Sequence, residues 1–73
     1  MKYWMDFYED SNYGDTEVTL YEKDENDESN AVISFHFDEV PGLNDEDDVA
    51  ESYNLIDQYI EHHLGFLPEY EVG

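Results

Sequence analysis

Apolar and polar side chains alternate along three segments of the chain, 2–9, 16–22 and 31–38. A period of two is typical of a β-strand that buries one face. The inward positions are Tyr3, Met5, Phe7, Val18, Leu20, Ile33, Phe35 and Phe37. Turn-forming residues around Gly14 separate the first two segments, so these are predicted to pair as a β-hairpin.

A fourth segment, about 45–64, has a different apolar spacing. Its apolar positions are Val49, Tyr53, Ile56, Ile60 and Leu64. Steps of three or four residues predict an amphipathic α-helix. Asn44 is the predicted N-cap and Gly65 the predicted C-cap, because a side-chain acceptor suits the first position and a left-handed residue the second. A short tail, 65–73, completes the chain.

These elements predict one small α+β domain over residues 1–73, in the order β-β-β-α. The helix is expected to cover one face of a three-stranded antiparallel sheet, which gives two layers around one core. Aromatic residues make up 16% of the chain. That content, together with the periodic placement of the apolar residues, favours a folded domain over an acidic disordered segment.

The excess of acidic residues and the lack of cysteine exclude several classes of function. The chain carries 21 acidic residues and two lysines, a formal net charge of −19, and it has no cysteine. Direct binding to nucleic acid or to an anionic membrane is excluded because both require cations facing phosphate. Disulfides, thiolate zinc sites and a cysteine nucleophile are excluded as well. Self-repulsion predicts a domain that gains stability in added salt and at mildly acidic pH.

No apolar run approaches the ~18 residues that a membrane span requires. Asp6 interrupts the apolar residues near the start of the chain, so no signal peptide is predicted there. The expectation is a cytoplasmic protein that contacts no membrane.

Two acidic surfaces are candidates for binding a basic partner. The first is a ribbon on the polar side of the predicted helix, formed by Asp47, Glu51, Asp57 and Glu61. The second is an exposed loop that contains Asp24, Glu25, Asp27 and Glu28. Carboxylates four residues apart on a helix lie roughly 6 Å apart along its axis, which is close to the spacing of phosphates along a nucleic-acid strand. The two surfaces are predicted to form one track that imitates a polyanion.

Aromatic side chains occupy the outward face of the predicted sheet. Trp4, Tyr8 and Tyr21 alternate there with acidic residues. Trp and Tyr are frequent anchors of protein–protein interfaces, and the neighbouring carboxylates suit Arg or Lys on a partner. The same face would also suit a second copy of the chain, so both a monomer and a homodimer are consistent with the sequence.

The catalytic and metal-binding motifs that the sequence suggests are all incomplete. A calcium loop starting at Asp24 would place Ser29 where glycine is needed and Phe35 where glutamate is needed. His36 and Asp38 are expected to share a strand face as an acid–base pair, but no accompanying nucleophile or phosphate loop is apparent. The adjacent His62 and His63 point in different directions on a helix. We therefore expect no enzymatic activity, no cofactor and no metal site.

The size, the charge, the absence of cysteine and the sheet-plus-helix body with its acidic ribbon resemble a class of small acidic inhibitors from bacteriophages and mobile elements. The class includes anti-CRISPR proteins, antirestriction proteins and uracil-DNA glycosylase inhibitors. No single motif defines the resemblance, so no functional residue is carried over from it.

The resemblance implies a DNA mimic that occupies the positively charged groove of a nucleic-acid-binding protein in the host bacterial cytoplasm. A CRISPR effector complex is the first expected target, and a restriction or DNA-repair enzyme is the alternative. Two further classes stay open: an acidic interaction module or chaperone for a basic protein, and a divalent-ion buffer. A displacement assay with DNA separates a mimic from a chaperone, because only a mimic must exclude DNA from the partner.

Overall fold

The computed structural model describes residues 2–73, which form a mixed four-stranded sheet with one α-helix against one face. In chain order, the elements are β1 (Lys2–Asp10), β2 (Asp15–Lys23), β3 (Ser29–His36), α1 (Val49–Leu64) and β4 (Tyr70–Val72). The spatial order of the strands is β3-β2-β1-β4. The α+β class is confirmed, but the prediction of three antiparallel strands is wrong, because β4 pairs parallel to β1.

The predicted hairpin is present and its register is uninterrupted. It runs from Lys2 opposite Lys23 at one end to Asp10 opposite Asp15 at the other. Gly14 closes the turn with φ of 89°, a left-handed conformation that glycine adopts without a Cβ penalty. The alternation therefore places the even-numbered residues of β1 on the outward face of the sheet, as predicted.

Strand β3 pairs antiparallel with β2 and ends at His36, two residues before its predicted end. The register shifts once, because Leu20 faces Ile33 whereas Tyr21 faces Ala31. After the strand, residues 37–39 form a 3-10 turn. The carboxylate of Glu39 accepts a hydrogen bond of 2.6 Å from the His36 backbone amide, which turns the chain away from the sheet.

One hydrophobic core lies between the sheet and the helix. Its buried residues are Met5, Val18, Leu20, Phe35, Val40, Leu43, Ile56 and Ile60. Phe7, predicted to face inward, is 36% exposed at the margin of this core. Its ring meets those of Phe37 and Tyr53 edge-on, each at a centroid distance of 6.2 Å. Such edge-to-face contacts add to the stabilisation from burial.

The helix begins at Val49, four residues later than predicted. Gly42, with φ of 80°, starts a separate 3-10 turn over residues 43–45 that buries Leu43. Asp48 rather than Asn44 is the N-cap, and its carboxylate accepts the backbone amide of Glu51 at 3.2 Å. Val49 consequently lies at the first position of the helix and is 71% exposed, so its predicted place on the apolar stripe is wrong.

The C-terminal tail contributes the fourth strand. Gly65 ends the helix with φ of 82°, which confirms the predicted C-cap. The chain then returns so that Tyr70 pairs with Tyr3 at the β1 edge. The Tyr70 hydroxyl donates a hydrogen bond of 2.5 Å to the Asp57 carboxylate and so ties the strand to the helix.

The Tyr70–Asp57 hydrogen bond gives a pH prediction. Burial, and then the Asp57 hydrogen bond, raise the pKa of Tyr70 far above its usual range. The neutral phenol is therefore favoured in the folded state, while an unfolded tyrosine ionises near pH 10. This contribution to stability is complete below pH ~10 and is lost as the pH rises towards the folded pKa.

We expect Tyr70→Phe to lower the free energy of unfolding at neutral pH by about 1.5 kcal/mol, the low end for a hydrogen bond to a charged group. The loss of stability above pH 10 should be smaller in this variant than in the wild type. Urea unfolding at a series of pH values measures both effects. Tyr8→Phe is the control, since Tyr8 is 63% exposed. Equal stability of the two variants at neutral pH would contradict the assignment.

Candidate functional site

The acidic side chains predicted to form a helix ribbon do not form one. Asp47 precedes the helix, and Asp57 is half-buried with its carboxylate on Tyr70. Glu51 and Glu61 remain exposed on the helix. Ten residues separate these two, or about 15 Å along the axis. The helix therefore lacks the predicted row of carboxylates at 6 Å spacing.

The predicted acidic loop connects β2 to β3. Asp24 is half-buried, and its side chain accepts the backbone amides of Asn26 at 2.9 Å and Glu28 at 3.0 Å. Glu25, Asp27 and Glu28 are exposed. Asp24 thus shapes the loop, and Glu25 and Glu28 are exposed acids without a lysine partner among the ion pairs of residues 2–73.

The predicted aromatic anchors lie on the outward face of the sheet. Trp4 and Tyr21 face each other across β1 and β2, and their rings stack with a centroid distance of 5.2 Å. The Lys23 ammonium group lies 5.7 Å from the Trp4 ring centroid. Tyr8, further along β1, is 63% exposed. The aromatic side chains form a small patch with one cation at its margin.

Both lysines lie at one end of the sheet. Lys2 and Lys23 face each other there, and each forms an ion pair with an acid. Lys2 lies 3.5 Å from Glu71, and Lys23 lies 3.2 Å from Asp27. The acidic loop is at this same end, so its charge is partly offset.

The opposite end of the sheet has acids without lysine; we call it the lysine-free end. It comprises the β1–β2 turn with the strand ends that flank it, the C-terminal end of β3 and the segment 37–48. Eight residues of β1 separate it from the lysines, or about 27 Å. Its ten acidic residues are Glu9, Asp10, Asp15, Glu17, Asp38, Glu39, Asp45, Glu46, Asp47 and Asp48. The predicted single track across helix and loop is therefore replaced by two acidic regions far apart.

His36 lies at the centre of the carboxylates on the outward face of this end. Its Nε2 atom is 3.3 Å from Asp10 Oδ2 and 3.7 Å from Glu17 Oε2. Its Nδ1 atom is 3.6 Å from Glu39 Oε2. The side chain of His36 is 16% exposed. Three carboxylates from three different elements thus surround one imidazole.

The β1–β2 turn folds over this imidazole. The Tyr13 ring stacks on the His36 ring with a centroid distance of 3.7 Å, and its hydroxyl donates to both Asp38 carboxylate oxygens at 3.0 and 3.1 Å. The Asp38 hydrogen bond is the main cause of the raised pKa of Tyr13. The expected His36–Asp38 pair is therefore wrong, because Asp38 lies beyond the strand and bonds to Tyr13.

Asp15 joins the turn to the segment that follows β3. One of its carboxylate oxygens accepts the backbone amide of Asp38 at 2.8 Å and the side-chain amide of Asn44 at 3.2 Å. Partial burial alone would raise the pKa of Asp15, but these hydrogen bonds outweigh it and the pKa is lowered. The lysine-free end is thus held together by neutral donors that favour the ionised carboxylate.

His36 and Asp10 each shift the pKa of the other. Partial burial by itself lowers the pKa of His36. The hydrogen bond with Asp10 and the charge of Glu17 outweigh burial, so the pKa of His36 lies above its ordinary value. The same hydrogen bond is the main cause of the lowered pKa of Asp10. Both groups are therefore favoured in their charged forms.

Sequence reasoning missed the His36 cluster. The alternation does place Glu17 and His36 on the outward face, but Asp10 falls at the end of β1, where a turn was expected. Their proximity depends on the β1–β2 and β2–β3 registers together. The signal in the sequence is the register of the hairpin. Counting residue pairs outward from the turn at Gly14 places Asp10 opposite Asp15, on the same outward face as Glu17.

Comparison with known proteins gives no relative for this chain: no protein-family model, no curated protein and no solved structure matches it. Within residues 2–73, the helix is too short and too polar to cross a membrane. The function is therefore inferred from the charge and geometry described above.

Proposed function

We propose that this protein is a DNA-mimic inhibitor that binds in the positively charged nucleic-acid groove of a partner and excludes DNA. The observation that supports it is the separation of charge. Both lysines lie at one end of the sheet, and ten acidic residues occupy the other end with His36 among them. A merely soluble surface would intersperse the two signs of charge.

The density of charge supports the same proposal. A net charge of −19 over an accessible surface of 4987 Å² averages about one charge per 260 Å². B-DNA, with a charge every ~1.7 Å of axis, has roughly one per 100 Å² of a cylinder of ~10 Å radius. Since the lysine-free end has no lysine to offset its acids, its density lies closer to that of DNA than the average does.

The lysine-free end is also pre-organised. Asp15 and Asp38 are fixed by hydrogen bonds, and the lowered pKa of Asp10 and Asp15 keeps both ionised well below neutral pH. A partner therefore meets carboxylates already held in place, which reduces the ordering cost of binding. Association should be fast and should slow steeply as salt is added.

The kind of target protein is proposed from the resemblance of the chain to small acidic phage inhibitors. A CRISPR effector complex in the bacterial cytoplasm is the first proposed target, and a restriction or DNA-repair enzyme is the second. The acids of the lysine-free end suit any groove lined with Arg and Lys, so the partner must be identified by experiment.

The test has two stages. Affinity capture from a bacterial lysate, followed by mass spectrometry, identifies the partner. Fluorescence anisotropy of a labelled duplex then follows DNA on the purified partner as this protein is added. We expect the duplex to be released as the protein binds. A stable ternary complex would contradict the mimic and favour an acidic interaction module or chaperone.

A further inference from the structure

The side chains of Asp10, Glu17 and His36 converge as a set of metal ligands. One donor atom from each lies within 4.8 Å of the other two. The donors come from β1, β2 and β3, three adjacent strands whose pairing fixes their relative positions. One imidazole nitrogen with two carboxylate oxygens is a donor set that suits zinc.

The distances fit a common metal. Zinc binds histidine nitrogen and carboxylate oxygen at ~2.0–2.2 Å, so two ligands at a tetrahedral angle lie about 3.4 Å apart. The Nε2 atom of His36 is 3.3 Å from the Asp10 oxygen and 3.7 Å from the Glu17 oxygen. The two carboxylate oxygens lie within 4.8 Å of each other, so a zinc ion bound to all three atoms would draw these two side chains closer together.

The surroundings of the cluster favour a cation independently of these distances. Both lysines are at the other end of the sheet, so within residues 2–73 no lysine offsets the acids that surround the cluster. Glu39 faces the second ring nitrogen at 3.6 Å, where a carboxylate commonly orients a metal-bound histidine. Tyr13 covers one face of the ring.

We propose that Asp10, Glu17 and His36 form a zinc site that joins the three strands at the lysine-free end, with Glu39 positioning the imidazole. A water molecule would complete the fourth position of a three-ligand site. The two proposals rest on different observations: the zinc site on the convergence of three donor atoms, and the mimic on the separation of the lysines from the acidic end. It also revises the expectation from the sequence that the chain has no metal site.

The test is isothermal titration of the chelator-treated full chain with zinc chloride near neutral pH and at physiological salt. We expect saturable binding of one zinc per chain. His36→Gln should weaken it by more than about tenfold, and Glu39→Gln by about 10–100-fold through loss of the positioning charge. Circular dichroism verifies that each variant is folded, and histidine NMR shifts in the wild type report whether His36 binds the metal.

His62→Gln combined with His63→Gln is the matched control, since these exposed histidines are the other imidazoles of the chain. This control should bind zinc within about twofold of the wild type. The proposal is overturned if binding does not saturate, if it follows His62 and His63 instead, or if calcium binds as tightly as zinc. A failed DNA-displacement experiment would leave the zinc result unaffected, so the two proposals fail separately.

Discussion

Replacing both Asp45 and Asp47 with lysine is expected to weaken binding to the captured partner by more than about a hundredfold. Both residues are exposed at the lysine-free end. Each substitution replaces an attraction to a cationic groove with a repulsion. Charge pairs in desolvated interfaces couple by at least ~1.5 kcal/mol, and 1.4 kcal/mol corresponds to a factor of ten. The two reversals together therefore cost about 3 kcal/mol of binding free energy.

The control for this experiment reverses the same number of charges at the other end. Glu25→Lys with Glu28→Lys changes two exposed acids of the β2–β3 loop and gives the same net charge. Surface plasmon resonance with both variants separates a local contact from a general effect of net charge. Equal weakening by the two pairs would contradict a specific acidic end. No weakening by either pair would remove acidic mimicry as the mechanism.

The structure also changes which substitutions are informative on the helix. Asp57 and Glu61 form an obvious pair for charge reversal on the predicted ribbon. Asp57, however, accepts the Tyr70 hydroxyl, so a lysine there would detach β4 from the helix as well as change the charge. Glu61 is exposed and can be reversed alone. A loss of binding in an Asp57 variant would therefore not distinguish contact from stability.

The hairpin and the core helix could be predicted because each rests on a local pattern. The alternation in β1 and β2 sets their faces, and the glycine at position 14 sets the turn. Ile56 and Ile60 lie four residues apart and are both buried, as the helical spacing predicts. Local periodicity was sufficient for these elements because one face of each is buried against the other.

The start of the helix could not be predicted from the same kind of pattern. Four of the residues 44–48 are good N-caps, so the local sequence does not choose among them: Asn44, Asp45, Asp47 and Asp48. Burial of Leu43 sets the start of the helix. It holds residues 43–45 in a separate turn, and Asp48 then becomes the N-cap. Tertiary packing rather than propensity therefore sets this boundary.

Strand β4 and the His36 cluster were missed for a related reason. A strand of three residues, Tyr70–Val72, is too short for its alternation to be recognised. Its position depends on pairing with β1, across more than sixty residues of sequence. The cluster likewise depends on two strand registers, one of which contains a bulge. Such long-range pairings leave little local signal.

Ile60→Ala is expected to have the largest effect on stability. Ile60 is fully buried between the helix and the sheet. Truncations of this kind cost 2–5 kcal/mol. A domain of 73 residues has a total of roughly 4–11 kcal/mol, at 0.05–0.15 kcal/mol per residue. Self-repulsion from the net charge of −19 places this chain towards the low end, so the variant should be largely unfolded at low salt.

Added salt should restore much of the folded state of this variant. Ions screen repulsion among exposed carboxylates, whereas they do not refill the cavity left by the isoleucine. Urea titrations monitored by circular dichroism can follow this because urea is uncharged. Val49→Ala, at a 71% exposed position, should stay within about 0.5 kcal/mol of the wild type. A wild-type stability that does not rise with salt would mean that the acids do not repel one another strongly, and the crowding of negative charge that supports the proposed mimicry would lose its physical basis.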